Sequence, residues 1–191
     1  MTDINEIFNY FPVIKLDELI LRQIVSLEDY QNYYEYINNS NVASYLSSED
    51  LPNSLENSKA ELHYWYSLFN YKSSFYWAIA LADTNQMIGT CGFNHWNKSQ
   101  NRAEISYDLN YKYWNNGIMS KSIKEIINFG FNSMKLHRIQ ATVAIDNIPS
   151  IKMLERVGFH RESLLQKYGM LQGVSKDFYM YVIVKDFYEI D

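Results

Sequence analysis

Leu109-Asn110-Tyr111-Lys112-Tyr113-Trp114-Asn115-Asn116-Gly117-Ile118-Met119-Ser120 carries the chain out of an extended segment and into a helix. A change of period marks the junction. Arg102 to Asn110 reads as a strand, whereas Met119, Ile123, Ile126, Ile127, Gly130, Phe131 and Met134 fall on one face of a 3.6-residue repeat. Between them, Asn115, Asn116 and Gly117 form a bend. Glycine accepts positive φ and lets backbone approach a ligand, and asparagine is the next most tolerant residue. The first turn of a helix also offers unpaired amide donors and the positive end of the macrodipole. Such a bend either holds a phosphate or simply makes a tight entry to the helix.

Working outward, Arg138 to Ile145 reads as a strand and Pro149 to Val157 as a short helix stopped by Gly158. Phe159 to Gln166 and Lys176 to Val184 read as two closing strands. On the other side, Glu18 to Ile24 is a first strand, with Ser26 as cap of a helix through Leu27, Tyr30, Tyr34 and Ile37. Asn38 to Ser58 is rich in Asn, Ser, Asp and Glu, which predicts a long polar loop and a candidate substrate gate. A helix follows from Leu55 to about Phe69. Tyr76 to Leu81 and Met87 to Phe93 are strand-like runs joined by Ala82-Asp83-Thr84-Asn85-Gln86, a hairpin signature. The order is strand, two helices, three strands, helix, strand, helix, two strands. It predicts an α/β (α+β) fold on a mixed sheet and does not alternate strictly enough for a doubly wound nucleotide fold.

The 191 residues suit one domain, residues 1–191, and 47% hydrophobic with 20% charged residues is a globular composition. The 17 tyrosines and 10 phenylalanines can serve a core, ligand-facing walls or an association surface. Cys91 is the single cysteine, which excludes an intramolecular disulfide and any multi-cysteine metal site. The first 20 residues carry acids where a secretory signal needs a basic and then apolar run, so a cytoplasmic protein is expected. No stretch approaches the ~18 apolar residues of a membrane span. The net charge of −5 is spread along the chain, which argues against nucleic-acid binding and mildly favours a cationic substrate.

Dinucleotide, P-loop, hydrolase-elbow and zincin signatures are all missing. His63, His95, His137 and His160 stand far apart and form no ligand pair at helical spacing, so no metal is expected.

The segment from Trp114 to Ser120 resembles the pyrophosphate loop of GNAT acetyltransferases, Gln/Arg-x-x-Gly-x-Gly/Ala. It is closer still to the Trp-Gly-Lys-Gly-Tyr/Ile-Met-Thr loop of the ribosomal-protein (RimJ/RimL) branch. Gly117 is the strict match; Trp114 replaces Gln/Arg, Asn115 a common glycine and Met119 the final small residue. Asp146-Asn147-Ile148-Pro149-Ser150-Ile151-Lys152-Met153-Leu154-Glu155-Arg156-Val157-Gly158-Phe159 is similar to the family's Asn-x-x-Ala/Ser-x-x-x-Tyr/Leu-Glu-Lys-x-Gly-Phe block. Asn147 follows Gly117 by about 30 residues, with a helix and a strand between. Upstream, Ala103-Glu104-Ile105-Ser106-Tyr107-Asp108-Leu109 is similar to the branch's Ala-Glu-Ile-Gly-Tyr-x-Leu, so the resemblance covers roughly residues 87 to 185. It implies a mostly antiparallel sheet of six or seven strands, splayed at its centre, with about four helices. It also implies that the strand ending at Leu109 parts from the strand ending near Ile145, and that the coenzyme arm lies in the gap.

The same resemblance implies acetyl-coenzyme A as co-substrate, held by Asp108, Leu109, Asn115, Asn116, Gly117, Ile118, Met119, Ser120 and Asn147. Acetyl transfer needs a neutral amine, a polarised thioester carbonyl and a proton for the departing thiolate. A backbone N–H near Leu109 can polarise the carbonyl, and Glu104 is the candidate base. Many relatives protonate the thiolate with a tyrosine where this chain has Leu154, so Ser150, or a loop tyrosine such as Tyr168, must serve instead. The acceptor is expected to be a protein N-terminal amine. The alternatives are a small amine of polyamine or aminoglycoside type, or a coenzyme-binding sensor module without turnover. A monomer or a homodimer is expected, with no membrane partner.

Overall fold

β3 (Tyr76–Leu81) is apolar at every position because both of its faces are covered. Phe75, Trp77 and Ile79 face one hydrophobic cluster, and Tyr76 and Ala78 face the other. The computed structural model, which describes residues 4–25, 27–49 and 51–188, builds one eight-stranded sheet around this strand, in the order β1-β2-β3-β4-β5-β6-β8-β7. The remaining strands are β1 (Ile14–Lys15), β2 (Leu19–Arg22), β4 (Met87–Asn97), β5 (Arg102–Leu109), β6 (Arg138–Ala144), β7 (His160–Leu171) and β8 (Val174–Val184). Neighbours pair antiparallel except β5 and β6, which run parallel.

One face of the sheet carries α1 (Leu27–Ile37), α2 (Ser40–Ala43) and α3 (Leu55–Asn70), which bury Tyr33, Ile37, Val42 and Leu62 against Tyr76, Ala78 and Met87. The other carries α4 (Ile118–Asn132) and α5 (Ile148–Arg156), whose Ile123, Ile126, Ile127, Phe131 and Leu154 complete the larger cluster. Part of the aromatic load is core: Phe8 stacks on Phe75 at 4.6 Å and Phe129 meets Trp77 edge-on at 5.3 Å, while Tyr10, Tyr64, Tyr71 and Tyr111 are exposed.

The sheet has one more strand than expected, since β1 is a two-residue piece too short to show a period. There is also one more helix, because α2 is a single turn inside the stretch read as loop. Asn39 starts it by accepting from the Asn41 amide, which is how Asx residues nucleate a turn in a polar segment. The Ser26 cap lies outside the described residues.

Candidate active site

β5 and β6 pair only at Arg102↔Arg138, Ala103↔Ile139 and Glu104↔Gln140. Beyond that point β5 follows β4 as far as Gly89↔Leu109, while β6 follows β8 as far as Ala144↔Phe178. Each strand keeps to its antiparallel partner, so the sheet opens into a fork. The gap holds a cavity of about 430 Å³. Glu104 sits at its root, where Thr142 Oγ1 donates to Oε1 at 2.8 Å and Gln140 Nε2 donates to Oε2 at 3.4 Å.

The Asn115 to Ser120 turn lines one side of this cavity. Asn115 has φ 62° and Gly117, the N-cap of α4, has φ 74°. Asn115, which stands where the resemblance has a glycine, thus takes a left-handed angle, which asparagine tolerates better than most residues. Gly117 makes no side-chain cap, and Ile118, Met119 and Ser120 form the first turn, where amide donors lack helical acceptors. Trp114, standing where the resemblance has Gln or Arg, braces the turn: its Nε1 donates to the Leu109 carbonyl at 2.8 Å. Asn116 Nδ2 adds a bond to the Tyr113 carbonyl at 3.3 Å.

α5 lines the opposite side. Asn147 Oδ1 caps it by accepting from the Ser150 amide at 3.2 Å, which leaves the amide nitrogen as the end that can reach a bound arm. Lys152 and Arg156 bring positive charge to the same cavity. Leu154 is fully buried in the core. The hydroxyl near the cleft is instead Ser150, 2.8 Å from the Tyr107 hydroxyl. Burial pushes the Tyr107 phenol up, and the Ser150 bond offsets this in part, so the phenol stays protonated throughout the neutral range. Tyr168 is an exposed residue of β7 and does not line this cavity.

Alternation along β5 turns Tyr107 and Asp108 to opposite faces. Tyr107 meets α5, whereas the Asp108 carboxylate accepts from Tyr36 of α1 (Oδ1, 2.5 Å) and from Thr90 of β4 (Oδ2, 2.6 Å). Burial pushes the Asp108 carboxyl up to about 6, and the two hydroxyls pull it back in part. Asp108 and Leu109 both line the fork, yet the Asp108 side chain belongs to the α1 face. The α2 segment is tied to the β7–β8 turn, where Gln172 Nε2 donates to the Ala43 and Leu46 carbonyls at 3.0 and 3.3 Å.

Glu104, Ser150, Asn147, Asn115 and Gly117 to Ser120, all singled out in the sequence, line one cavity, whereas Asn116 is exposed and does not line it. Tyr107, Thr142 and the cations Lys152 and Arg156 line it as well; Tyr107 and Arg156 fall on positions of the motifs that carry the resemblance, whereas Thr142 has no sequence signal of its own. Strand parity places Tyr107 on the same face as Ile105 and Leu109, but that it meets Ser150 depends on how α5 packs.

A family model described as "Acetyltransferase (GNAT) domain" matches residues 18–160. The chain is 34% identical over 175 residues to the uncharacterized N-acetyltransferase YoaA of Bacillus subtilis (strain 168), covering 92% of this chain and 98% of that protein. The structure of a GNAT-family acetyltransferase from Bacillus anthracis aligns with TM-score 0.78 at 26% identity, over 92% of this chain and 99% of the other. RimL, a ribosomal L7/L12 α-N-protein acetyltransferase solved with coenzyme A, shares the fold with TM-score 0.82 at 21% identity, over 92% and 99% of the two chains.

Proposed function

The chain belongs to the GNAT acetyltransferase family and is an N-acetyltransferase of that type, and we propose that it holds acetyl-coenzyme A in the β5–β6 fork and acetylates a primary amine. The fork itself carries this reading. Two parallel strands that stop pairing after Glu104↔Gln140 leave extended backbone on both sides of a cavity, as an extended pantetheine arm requires. At one end the left-handed turn at Asn115 and Gly117 presents the amides of the first turn of α4 to the pyrophosphate. Lys152 and Arg156 add cations, Asn147 offers its amide, and the backbone at Asp108 and Leu109 borders the thioester.

In the reaction the amine must lose a proton and the thiolate must gain one. The Ser150–Tyr107 pair is the proposed source for the thiolate: the serine hydroxyl donates and the buried phenol replenishes it. For the amine proton, β5 presents two carboxylates on one face. Glu104 at the root of the fork is the residue that the sequence points to, and Asp108 near its mouth is the other.

A protein N-terminal amine is the acceptor that the RimJ/RimL resemblance implies. A small amine is favoured by one specific observation, a second cavity lined by aromatic and acidic side chains on the far side of β5. Release of free thiol from acetyl-coenzyme A, followed with N-terminal peptides and small amines, tests the function. A protein that binds acetyl-coenzyme A yet releases no thiol in the presence of any of these amines would be a sensor, and one that does not bind it would refute the coenzyme site.

A further inference from the structure

Charge divides the two cavities that meet at β5. The fork sets Lys152 and Arg156 against Glu104 and Asp108, whereas the second cavity, about 700 Å³ between α1, α3 and β4, is lined by Glu61, Asp108 and His95 and, among the described residues, by no lysine or arginine. The two share the stretch Ser106-Tyr107-Asp108. An anionic coenzyme and a cationic acceptor are therefore drawn to opposite sides of one strand.

The second cavity also has an aromatic wall. Trp65 stacks on Tyr76 with ring centroids 4.4 Å apart, and Tyr33 meets Trp65 edge-on at 5.5 Å. Position 92 must be glycine for this, since a Cβ there would lie 2.3 Å from the Tyr76 ring. The Tyr76 hydroxyl is 2.7 Å from Ser106 Oγ, which also accepts from Asn94 Nδ2 at 2.6 Å. Glu61 is hydrogen-bonded by the Tyr33 hydroxyl. A primary ammonium here meets carboxylates for its charge and ring surface for an apolar body.

We propose that this cavity is the acceptor site, that it takes a small primary ammonium borne on a flat apolar body, and that Asp108 receives the ammonium proton. The proposal rests on the acetyltransferase reading and narrows its acceptor. Asp108 is the carboxylate common to both cavities, whereas Glu104 borders only the fork. The groups around Asp108 are Tyr33 and Tyr36 of α1, Tyr76 of β3, and Thr90 and Cys91 of β4, whose hydroxyls and thiol are neutral. A buried carboxyl of raised pKa with neutral neighbours suits proton abstraction near neutral pH.

In the transfer, R–NH₃⁺ gives one proton to Asp108, which passes it to water. The freed lone pair forms the N–C bond at the thioester carbonyl carbon, and the C–S bond breaks with its electron pair on sulfur. The acetylated nitrogen then loses a second proton, which restores the one that the thiolate takes from the Ser150–Tyr107 pair.

The test measures acetyl transfer to 2-phenylethylamine, spermidine and a tetrapeptide with a free N-terminus, beside calorimetric binding of acetyl-coenzyme A. Phenylethylamine is expected to have the highest kcat/KM, by at least ~10-fold. Asp108→Asn should lower its kcat by ~10²-fold or more with coenzyme affinity unchanged. Glu61→Gln and Trp65→Phe, milder changes away from the reacting atoms, should each raise KM for phenylethylamine and leave coenzyme affinity alone. Preference for spermidine or the peptide, or unchanged KM in both milder variants, overturns the proposal while acetyl transfer itself stands. Failure to bind acetyl-coenzyme A and to acetylate any of the three amines refutes the acetyltransferase reading beneath it.

Discussion

Gly117→Val separates what the turn does for the fold from what it does for the coenzyme. Gly117 has φ 74°, and a Cβ built on it meets nothing within 4 Å. The free protein therefore suffers no clash, and its loss is the backbone strain of an L-residue in the left-handed region, ~1–2 kcal/mol. For a chain of this size that is a fall in Tm of roughly 2–8 °C. In the proposed site the coenzyme lies against this turn, so the valine methyl groups should also weaken acetyl-coenzyme A by at least tenfold, or ~1.4 kcal/mol. Scanning calorimetry reads the first effect and titration calorimetry the second. Asn115→Gly, which exchanges two residues tolerant of φ 62°, is the control and should change stability by less than ~1 kcal/mol. A Gly117→Val protein with the expected fall in Tm and unchanged coenzyme affinity would refute the assignment of the turn.

Ser150→Ala and Tyr107→Phe should each lower kcat by ~10-fold or more with little change in coenzyme affinity, and a loss of Tm with normal turnover per folded molecule would make the pair structural. Glu104→Gln, in which the side-chain carbonyl still accepts from Thr142, should lower kcat by less than ~10-fold; a loss of ~10²–10⁴ would assign the base to Glu104 instead. Asp108 gives the pH dependence, for its folded carboxyl stands at about 6 against an ordinary 3.8. The folded state binds this proton more tightly, so the group's contribution to stability falls as pH rises through that window, by at most roughly 3 kcal/mol. Activity runs the other way, with kcat/KM lost as pH drops through about 6, and Asp108→Asn should remove the stability change. Turnover should survive dialysis against a chelator, and recovery only on adding a divalent ion would overturn this expectation.

Long periodic segments are legible in the amino-acid sequence. The α4 face from Ile118 to Asn132 repeats every 3.6 residues because one side packs on the sheet, and the apolar run of β3 reflects burial on both faces. Local backbone chemistry is legible as well: Gly117, Asn115 and Asn147 stand where left-handed angles and a helix cap are needed, and neighbouring residues alone set those requirements. The sequence by itself therefore determined the order of the longer elements, the GNAT resemblance and the two loops that border the fork, but not the two-residue β1 or the single turn of α2. Only the tertiary structure decided that Tyr107 pairs with Ser150, that Asp108 turns toward Tyr36 and Thr90, and that an aromatic, acidic cavity opens behind the coenzyme strand. These contacts join residues 18 to 72 positions apart in the chain, and no local period encodes a distance across a sheet.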